Sequence, residues 1–174
     1  MRALIGVTVA ALLLGALGGC SDPGSGGTDD AERINQLEDD VDAARDGVVH
    51  EIAAAVEAPF AGGTRRHSSC GESYAPRGVR IVEHLRFDPG PLGVEATVST
   101  VAEVLEDGGW DVEWPANPAI VLGRLGDIEV RAVAGAVLQV DISNPDCVET
   151  GDDSARDFAD RPSSDVDWPA GPTT

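Results

Sequence analysis

The longest regular pattern in the chain is a stripe of apolar residues that ends before Pro59. Its members recur at spacings of three and four positions and are Ile34, Leu37, Val41, Ala44, Val48, Ile52 and Ala55. This period predicts an amphipathic helix over residues 29–58. A helix of about 27 residues is about 40 Å long, which exceeds the width of a small domain.

The two halves of this helix differ in charge. Eight acids and two arginines lie between Asp29 and Asp46, beside a narrow apolar seam. Because like charges on both sides of a seam oppose helix pairing, this half is predicted to be a solvated stalk, with a weak coiled coil as the alternative. The half from Val48 to Val56 has a broader apolar face and is predicted to pack on a sheet.

The pattern changes after the helix. Residues 60–78 contain glycine, serine and arginine without regular apolar spacing and are predicted to be a connection. Alternating apolar and polar positions from Val79 to Phe87 predict a strand, and residues 94–105 predict a second helix that ends at Gly108-Gly109. Further strands are predicted at 110–114, 119–125, 128–134 and 137–143.

This order of elements predicts an α+β fold. We expect a two-layer sandwich in which two helices cover one face of an antiparallel sheet of 4–5 strands, preceded by the long acidic N-terminal helix. The α+β domain itself is predicted to span residues 59–147. Since Cys70 precedes the first predicted strand and Cys147 follows the last, a bridge between them brings these two ends together, and the simplest arrangement places the first and last strands side by side and antiparallel.

Residues 1–19 have the features of a secretory signal peptide. Arg2 precedes an uninterrupted run of apolar and small residues from Ala3 to Leu17, which is too short to remain as a membrane-spanning helix. The run ends in Leu17-Gly18-Gly19-Cys20, which resembles the lipobox of bacterial lipoproteins. The resemblance implies that Cys20 is lipidated and anchors the protein to the extracytoplasmic face of the cell membrane. The alternative is an ordinary cleaved signal in which Cys20 has no role.

The charge balance limits the choice of partners. The chain has 12 basic residues, all arginine, against 31 acids, and only Arg2 belongs to the predicted signal peptide. Such a surface disfavours nucleic acid and anionic headgroups as partners. The lipid on Cys20, and not the protein surface, is therefore predicted to hold the domain to the membrane, through a flexible Gly/Ser-rich tether over residues 20–28.

The remaining cysteines form an even pair in an exported and therefore oxidising compartment. Cys70 and Cys147 are predicted to form a disulfide. The alternative is a reactive or metal-binding thiol with His67 as a second ligand, but two donors do not make a zinc site.

Residues 148–174 are rich in acids and proline and poor in aliphatic residues. This composition predicts a disordered acidic tail, in which Trp168-Pro169 is the only candidate docking element.

The order of these features resembles small lipoproteins of high-GC Gram-positive bacteria. In that group a lipobox and an acidic linker precede a helix, a strand, a second helix ending near Gly-Trp, and a hairpin followed by cysteine. The corresponding features here are Gly109-Trp110, the strands from Ile128 to Ile142, and Asn144-Pro145-Asp146-Cys147. The resemblance spans most of residues 17–148, and it implies no particular activity.

The sequence contains none of the common catalytic motifs. The chain has no Gly-x-Ser-x-Gly, His-Glu-x-x-His or phosphate-binding glycine loop, and its three histidines are scattered. We therefore expect neither an enzyme nor a cofactor or metal site. The expected function is a monomeric interaction module that binds an envelope protein or a cell-wall partner through the acidic helix or the region of Trp110 and Trp114. The alternative is a domain that binds a small or cationic ligand in a pocket between helix and sheet.

Overall fold

The apolar stripe forms one long helix with an irregular turn in its second half. In the computed structural model, which describes residues 26–168, helix α1 spans Gly26–Ala44, a π-helical turn spans Arg45–Val49, and helix α2 spans His50–Ala55. The helix thus begins three residues earlier than predicted. Glu57 adopts a left-handed φ of 51° and closes a Schellman motif at its end.

The strands of residues 26–168 form one antiparallel sheet of eight strands. Their bounds are β1 Phe60–Glu72, β2 Ala75–Phe87, β3 Asp111–Glu113, β4 Ile120–Leu125, β5 Ile128–Ala134, β6 Leu138–Ser143, β7 Val148–Glu149 and β8 Ser164–Asp165. Their order is β3-β4-β5-β6-β2-β1-β8, and β7 pairs with β2 beyond the end of β6. The predicted sheet of 4–5 strands is therefore wrong, because β1, β7 and β8 carry no alternating apolar pattern.

The helices lie on one face of this sheet. Helix α3 (Val94–Asp107) packs on β4 and β5, and helix α4 (Asp152–Ala159) packs on β1 and β2. Phe158 of α4 contacts His67, which pairs across the strands with Ile81 on the same face. The β2 side chains that point into this core are Val79, Ile81, Glu83, Leu85 and Phe87.

The predicted solvated stalk is wrong. Ile34, Leu37 and Val41 are buried, and α1 contacts four strands and α4 along its length. The apolar seam is covered by the same chain, because α4 and the sheet supply the surface that a second helix would otherwise provide. The acids, such as Glu32 and Asp39, remain on the exposed side.

The connection predicted over residues 60–78 is also wrong, because β1 pairs with β2 along its length. Its inward side chains include Arg65 and His67, whose partners come from other elements, so no apolar alternation marks the strand. At Gly63 an added Cβ would lie 2.7 Å from Cδ2 of Leu85. The glycine therefore allows β1 to lie close to the core.

The disordered tail predicted over residues 148–174 is wrong for the part that the structure describes. Residues 148–168 form β7, α4 and β8, and they bury Ala155, Phe158 and Val166 in the core. Trp168 does not serve as an outward docking element, because its ring lies 4.8 Å from that of Phe60 and packs inward. The domain thus extends past residue 147, and residues 169–174 lie outside the described range.

The predicted neighbours in the sheet are confirmed. β2 pairs with β6 in antiparallel register from Val82↔Ser143 to Phe87↔Leu138. Cys70 and Cys147 form a disulfide with a Cα–Cα distance of 6.2 Å. The bridge lies over Gly78, where an added Cβ would come within 2.9 Å of the Cys147 Cβ.

Candidate functional site

A groove lies between helix α1 and the hairpin that joins β4 to β5. It has a volume of about 510 Å³, is open to solvent, and falls in the size range of ligand sites. It is lined by Asp40, Ala43, Ala44, Val48, Trp110, Leu125, Gly126, Asp127 and Ile128. A second depression, of about 580 Å³ at the start of α3, is lined by one segment only and has no opposing wall.

The end of α3 positions the aromatic wall of the groove. Gly109 adopts a left-handed φ of 78°, and its N–H donates to the Glu106 carbonyl while the Trp110 N–H donates to the Leu105 carbonyl. These two bonds form a Schellman motif, which turns the chain sharply. Trp110 is 8% exposed and therefore forms a fixed surface. Its indole N–H has no hydrogen-bond partner among the described residues.

The hairpin forms the opposite wall. Leu125 pairs with Ile128, so Gly126 and Asp127 make a two-residue turn. Gly126 has a φ of 57°, which a glycine at this position adopts without steric cost. The turn leaves Leu125 50% exposed beside the groove, whereas Ile128 is buried.

Small side chains on α1 leave the space between these walls. Ala43 and Ala44 face the groove, and Val48 follows from the π-helical turn. Such turns are frequent at functional sites in other proteins. A larger residue at position 43 would occupy the space without entering the core, since Ala43 is exposed.

The rim of the groove is acidic. Asp40 and Asp127 are both exposed, and no basic residue belongs to the lining. Asp40 accepts a hydrogen bond of 2.7 Å from Gln36, and Asp127 has no ion-pair partner among residues 26–168. The lining also contains no histidine, cysteine or serine. The groove therefore suits an apolar group that carries positive charge, and it contains no nucleophile.

A buried charge cluster fixes the same helix to the sheet. Glu83 on β2 is fully buried, and its Oε1 lies 2.7 Å from Arg65 and 3.3 Å from Arg45. Asp42 accepts hydrogen bonds from both arginines, and Asp46 accepts one from Arg45. The cluster joins α1, the π-helical turn, β1 and β2.

The carboxylates of the cluster raise the pKa of both arginines. Burial acts to lower the pKa of Arg45 and Arg65, but the carboxylates outweigh it and both values are raised. For Arg45 the hydrogen bond with Asp46 contributes most to this increase, and for Arg65 the charge of Glu83 does. The cluster has no adjoining cavity in the described part of the chain, and we interpret it as structural.

His67 holds α4 against β1. Its ring meets Phe158 edge to face at 4.9 Å, and its Nε2 lies 3.9 Å from Glu38, which also binds Arg161 at 2.7 Å. Burial lowers the pKa of His67, and the nearby charge of Arg161 lowers it further, while Glu38 acts in the opposite direction. His67 is therefore neutral at neutral pH.

The structure brings together only part of the surface that the sequence indicated. Trp110 and the acidic helix meet at the groove, but Trp114 is 57% exposed and does not line it. His67 and Cys70 cannot share a metal, because Cys70 is in the disulfide. Cys20 lies outside the described residues.

Sequence reasoning missed the hairpin side of the groove. The strands predicted at 119–125 and 128–134 leave Gly126-Asp127 as the turn between them, but nothing local in the sequence shows that this turn faces α1. That placement depends on how the helix layer packs on the sheet.

Residues 26–168 contain no cluster of three or more side chains arranged to hold a metal ion. None of the helices in this range is long and apolar enough to span a bilayer. Comparison of the chain with protein-family models, with curated proteins and with solved structures returns no match.

Proposed function

We propose that this chain is a non-catalytic lipoprotein of the cell envelope that binds a basic, amphipathic segment of a partner protein in the groove beside α1. Lipid on Cys20 anchors it to the extracytoplasmic face of the cell membrane. The observation that carries the proposal is the combination of an apolar groove with two exposed carboxylates, Asp40 and Asp127, at its rim.

The chemistry of the groove supports this class of partner. Leu125 and Ala43, beside the exposed edge of Trp110, offer apolar surface that a ligand would remove from water, and each buried square ångström contributes about 25 cal/mol. The carboxylates favour a segment with arginine or lysine beside its apolar residues, because complementary charge gives specificity and faster association. The open shape suits an extended or helical segment more than an enclosed small molecule.

The same features also suit a second kind of ligand, a small organic cation. A small organic cation would also find an aromatic wall and a negative rim here, as cations do over tryptophan faces. The open groove would leave much of such a molecule in water, whereas small-molecule sites usually bury most of their ligand. We therefore place the peptide segment first.

The helix seam supports a monomeric module. Ile34, Leu37 and Val41, which would form a coiled-coil interface, are covered by the same chain. The proposal thus needs no second copy of the protein to complete the groove.

Peptide binding tests the groove. A short labelled peptide of alternating leucine and arginine is titrated with the mature protein, and binding is followed by fluorescence anisotropy. We expect Ala43→Phe, which fills the groove, and Asp40→Asn/Asp127→Asn, which removes the rim charge, each to weaken binding about tenfold or more, a loss of about 1.4 kcal/mol.

Two controls make this test specific. The variant Asp39→Asn/Asp88→Asn removes the same charge at exposed positions outside the groove and should bind as the unmodified protein does. A peptide with glutamate in place of arginine should not bind. Equal affinity of all variants for the basic peptide would contradict the proposed site, and tight binding of tetramethylammonium alone would favour the small-cation alternative.

Membrane fractionation tests the anchor separately. The variant Cys20→Ser should be released from the membrane with its fold intact, because the lipid is the proposed attachment. A Ser variant that still sediments with membranes after export and cleavage would contradict the anchor.

A further inference from the structure

The face of the sheet opposite the helices is open and rich in arginine. From Arg80 to Arg86 of β2, and along β5 and β6, none of the outward side chains is buried, and among the described residues the loop at 144–147 with its disulfide covers the end of this face at Gly78. Five arginines point outward here, although the whole chain carries a net charge of −19. They are Arg66, Arg80, Arg86, Arg124 and Arg131, placed on this side by the strand register.

These arginines differ in their partners. Arg124 pairs with Glu129 at 2.8 Å, and Arg131 pairs with Asp141 at 3.4 Å. These ion pairs lie on the half of the face formed by β4, β5 and β6. The remaining outward acids lie on the short strands: Asp111 and Glu113 on β3, Asp165 on β8 beside β1, and Glu149 on β7 beside the start of β2.

Strands β1 and β2 themselves carry three arginines and no acid on this face. Arg66 and Arg86 are exposed and make no ion pair or hydrogen bond to any described residue. Arg80 donates one hydrogen bond to the Pro145 carbonyl and makes no ion pair with a described residue. His84 lies between them on β2 and is held by Asp141 at 2.8 Å.

The acids of the helix layer are screened from this half. A helix about 10 Å in diameter separates the outward side of α1 from the sheet, and charges more than about 8 Å apart are largely screened at physiological salt. A surface that touches the open face therefore experiences the arginines more strongly than the net charge of the chain.

We infer that the β1–β2 half of the open face, with Arg66, Arg80 and Arg86, lies against the anionic phospholipid headgroups of the membrane in which the protein is anchored. This inference rests on the proposed lipid anchor at Cys20. It corrects the expectation, drawn from net charge, that headgroups repel the whole domain.

The position of the anchor makes this contact reachable. Asp30 near the start of α1 accepts hydrogen bonds of 2.8 Å from Gly151 and Ser154, which follow β7 at the end of β2. Helix α1 therefore starts at the end of the sheet nearest Arg80. The six peptide steps from Cys20 to Gly26 span at most about 20 Å, so the arginines stay within reach of the bilayer surface.

Arginine footprinting tests the inference on the lipidated protein. The protein is reconstituted into vesicles of phosphatidylcholine alone or of phosphatidylcholine with an equal part of phosphatidylglycerol, and phenylglyoxal modification is followed residue by residue by mass spectrometry. In low salt we expect Arg66 and Arg86 to react at least about fivefold more slowly on the anionic vesicles, since each arginine near such a surface strengthens binding about fivefold. Arg33 and Arg156 on the helix side should react at the same rate on both, and added salt should remove the difference.

A charge-matched pair of variants assigns the effect. In Arg66→Gln/Arg86→Gln the remaining reporter, Arg80, should lose its protection on anionic vesicles, because docking weakens about 25-fold. In Arg33→Gln/Arg156→Gln, with the same change in net charge, Arg80 should stay protected.

Three outcomes would overturn the inference. Equal reactivity of Arg66 and Arg86 on both vesicles in low salt shows that headgroups do not cover them. Protection in both vesicles that rises with protein concentration assigns the face to a second copy of the chain. Protection of Arg33 and Arg156 together with Arg66 shows general adsorption. Failure of the protein to sediment with either vesicle contradicts the anchor instead, so the two proposals fail separately.

Discussion

The two faces of the β-sheet differ in what covers them. On the covered face β2 contributes four apolar side chains and one acid, Glu83; all five are buried, and helices α1 and α4 pack on this strand. On the open face the same strand presents Arg80, His84 and Arg86 to solvent. One strand thus carries a core and a charged surface at alternate positions.

The net charge of the chain therefore does not describe the charge of each of its surfaces. The acids that give the chain its negative balance lie mainly on the helix layer, while five of the arginines lie on the side without helices. It also shows what a charge on the covered face requires. Glu83 is stable there because Arg45 and Arg65 reach it from two other elements.

The largest expected effect comes from the link at the end of the open face. The disulfide closes a sequence separation of 77 residues and holds β1 to the segment after β6. The variant Cys70→Ser/Cys147→Ser should lower the free energy of unfolding by about 4–5 kcal/mol in the chain-entropy model. Urea denaturation of the mature protein measures this, and a loss below about 1 kcal/mol would show that the sheet needs no covalent link at this end.

The next effect tests the cover on the opposite face. Phe158 is the apolar anchor of α4, with 1% of its surface exposed. Phe158→Ala should cost about 3–5 kcal/mol, because it leaves a cavity between α4 and β1. Asp157→Ala, on the exposed side of the same helix, is the control and should change stability by less than about 0.5 kcal/mol. Similar small losses in both variants would mean that α4 does not hold the covered face closed.

A matched pair of acids compares the two faces directly. Glu83→Gln on the covered face leaves two arginines with a weaker partner and should cost about 3 kcal/mol. Glu129→Gln on the open face, which loses the partner of Arg124, should cost less than about 1 kcal/mol, because solvent screens that pair. Equal losses, measured by the same denaturation, would remove the distinction between buried and exposed charge pairs here.

The sequence pattern predicted the elements whose apolar residues repeat at close range. The stripe from Ile34 to Ile52, the strand from Val79 to Phe87 and the Gly126-Asp127 turn each depend on neighbours a few positions away, and each formed. The adjacency of β2 and β6 followed from the two cysteines.

Elements stabilised by distant residues could not be predicted in this way. β1 points Arg65 and His67 inward, and their partners Glu83 and Phe158 lie on other elements. The helix α4 has only two buried positions, Ala155 and Phe158, in an acidic context. Because α4 is not predicted from the sequence, nothing in the predicted fold covers the apolar seam of α1. The sequence therefore predicts a solvated stalk there.

The candidate site follows the same rule. Trp110 and the acidic helix were identified because their composition is distinctive along the chain. Leu125 and Asp127 were not, since they join the site through the angle at which α1 crosses the sheet, and no local pattern encodes that angle.

The smallest expected effect concerns His67, the histidine on the covered face. Its pKa is lowered from the ordinary value of 6.5 by burial and by Arg161, so the unfolded chain binds a proton at a higher pH than the folded protein does. Lowering the pH below about 6.5 therefore stabilises the unfolded state more, and the free energy of unfolding falls until the folded pKa is reached. His67→Gln should flatten this fall between pH 6.5 and the folded pKa, whereas His84→Gln on the open face, where the side chain is 49% exposed, should preserve it. Denaturation at a series of pH values compares the two variants, and an unchanged slope in His67→Gln would show that the histidine does not couple α4 to protonation.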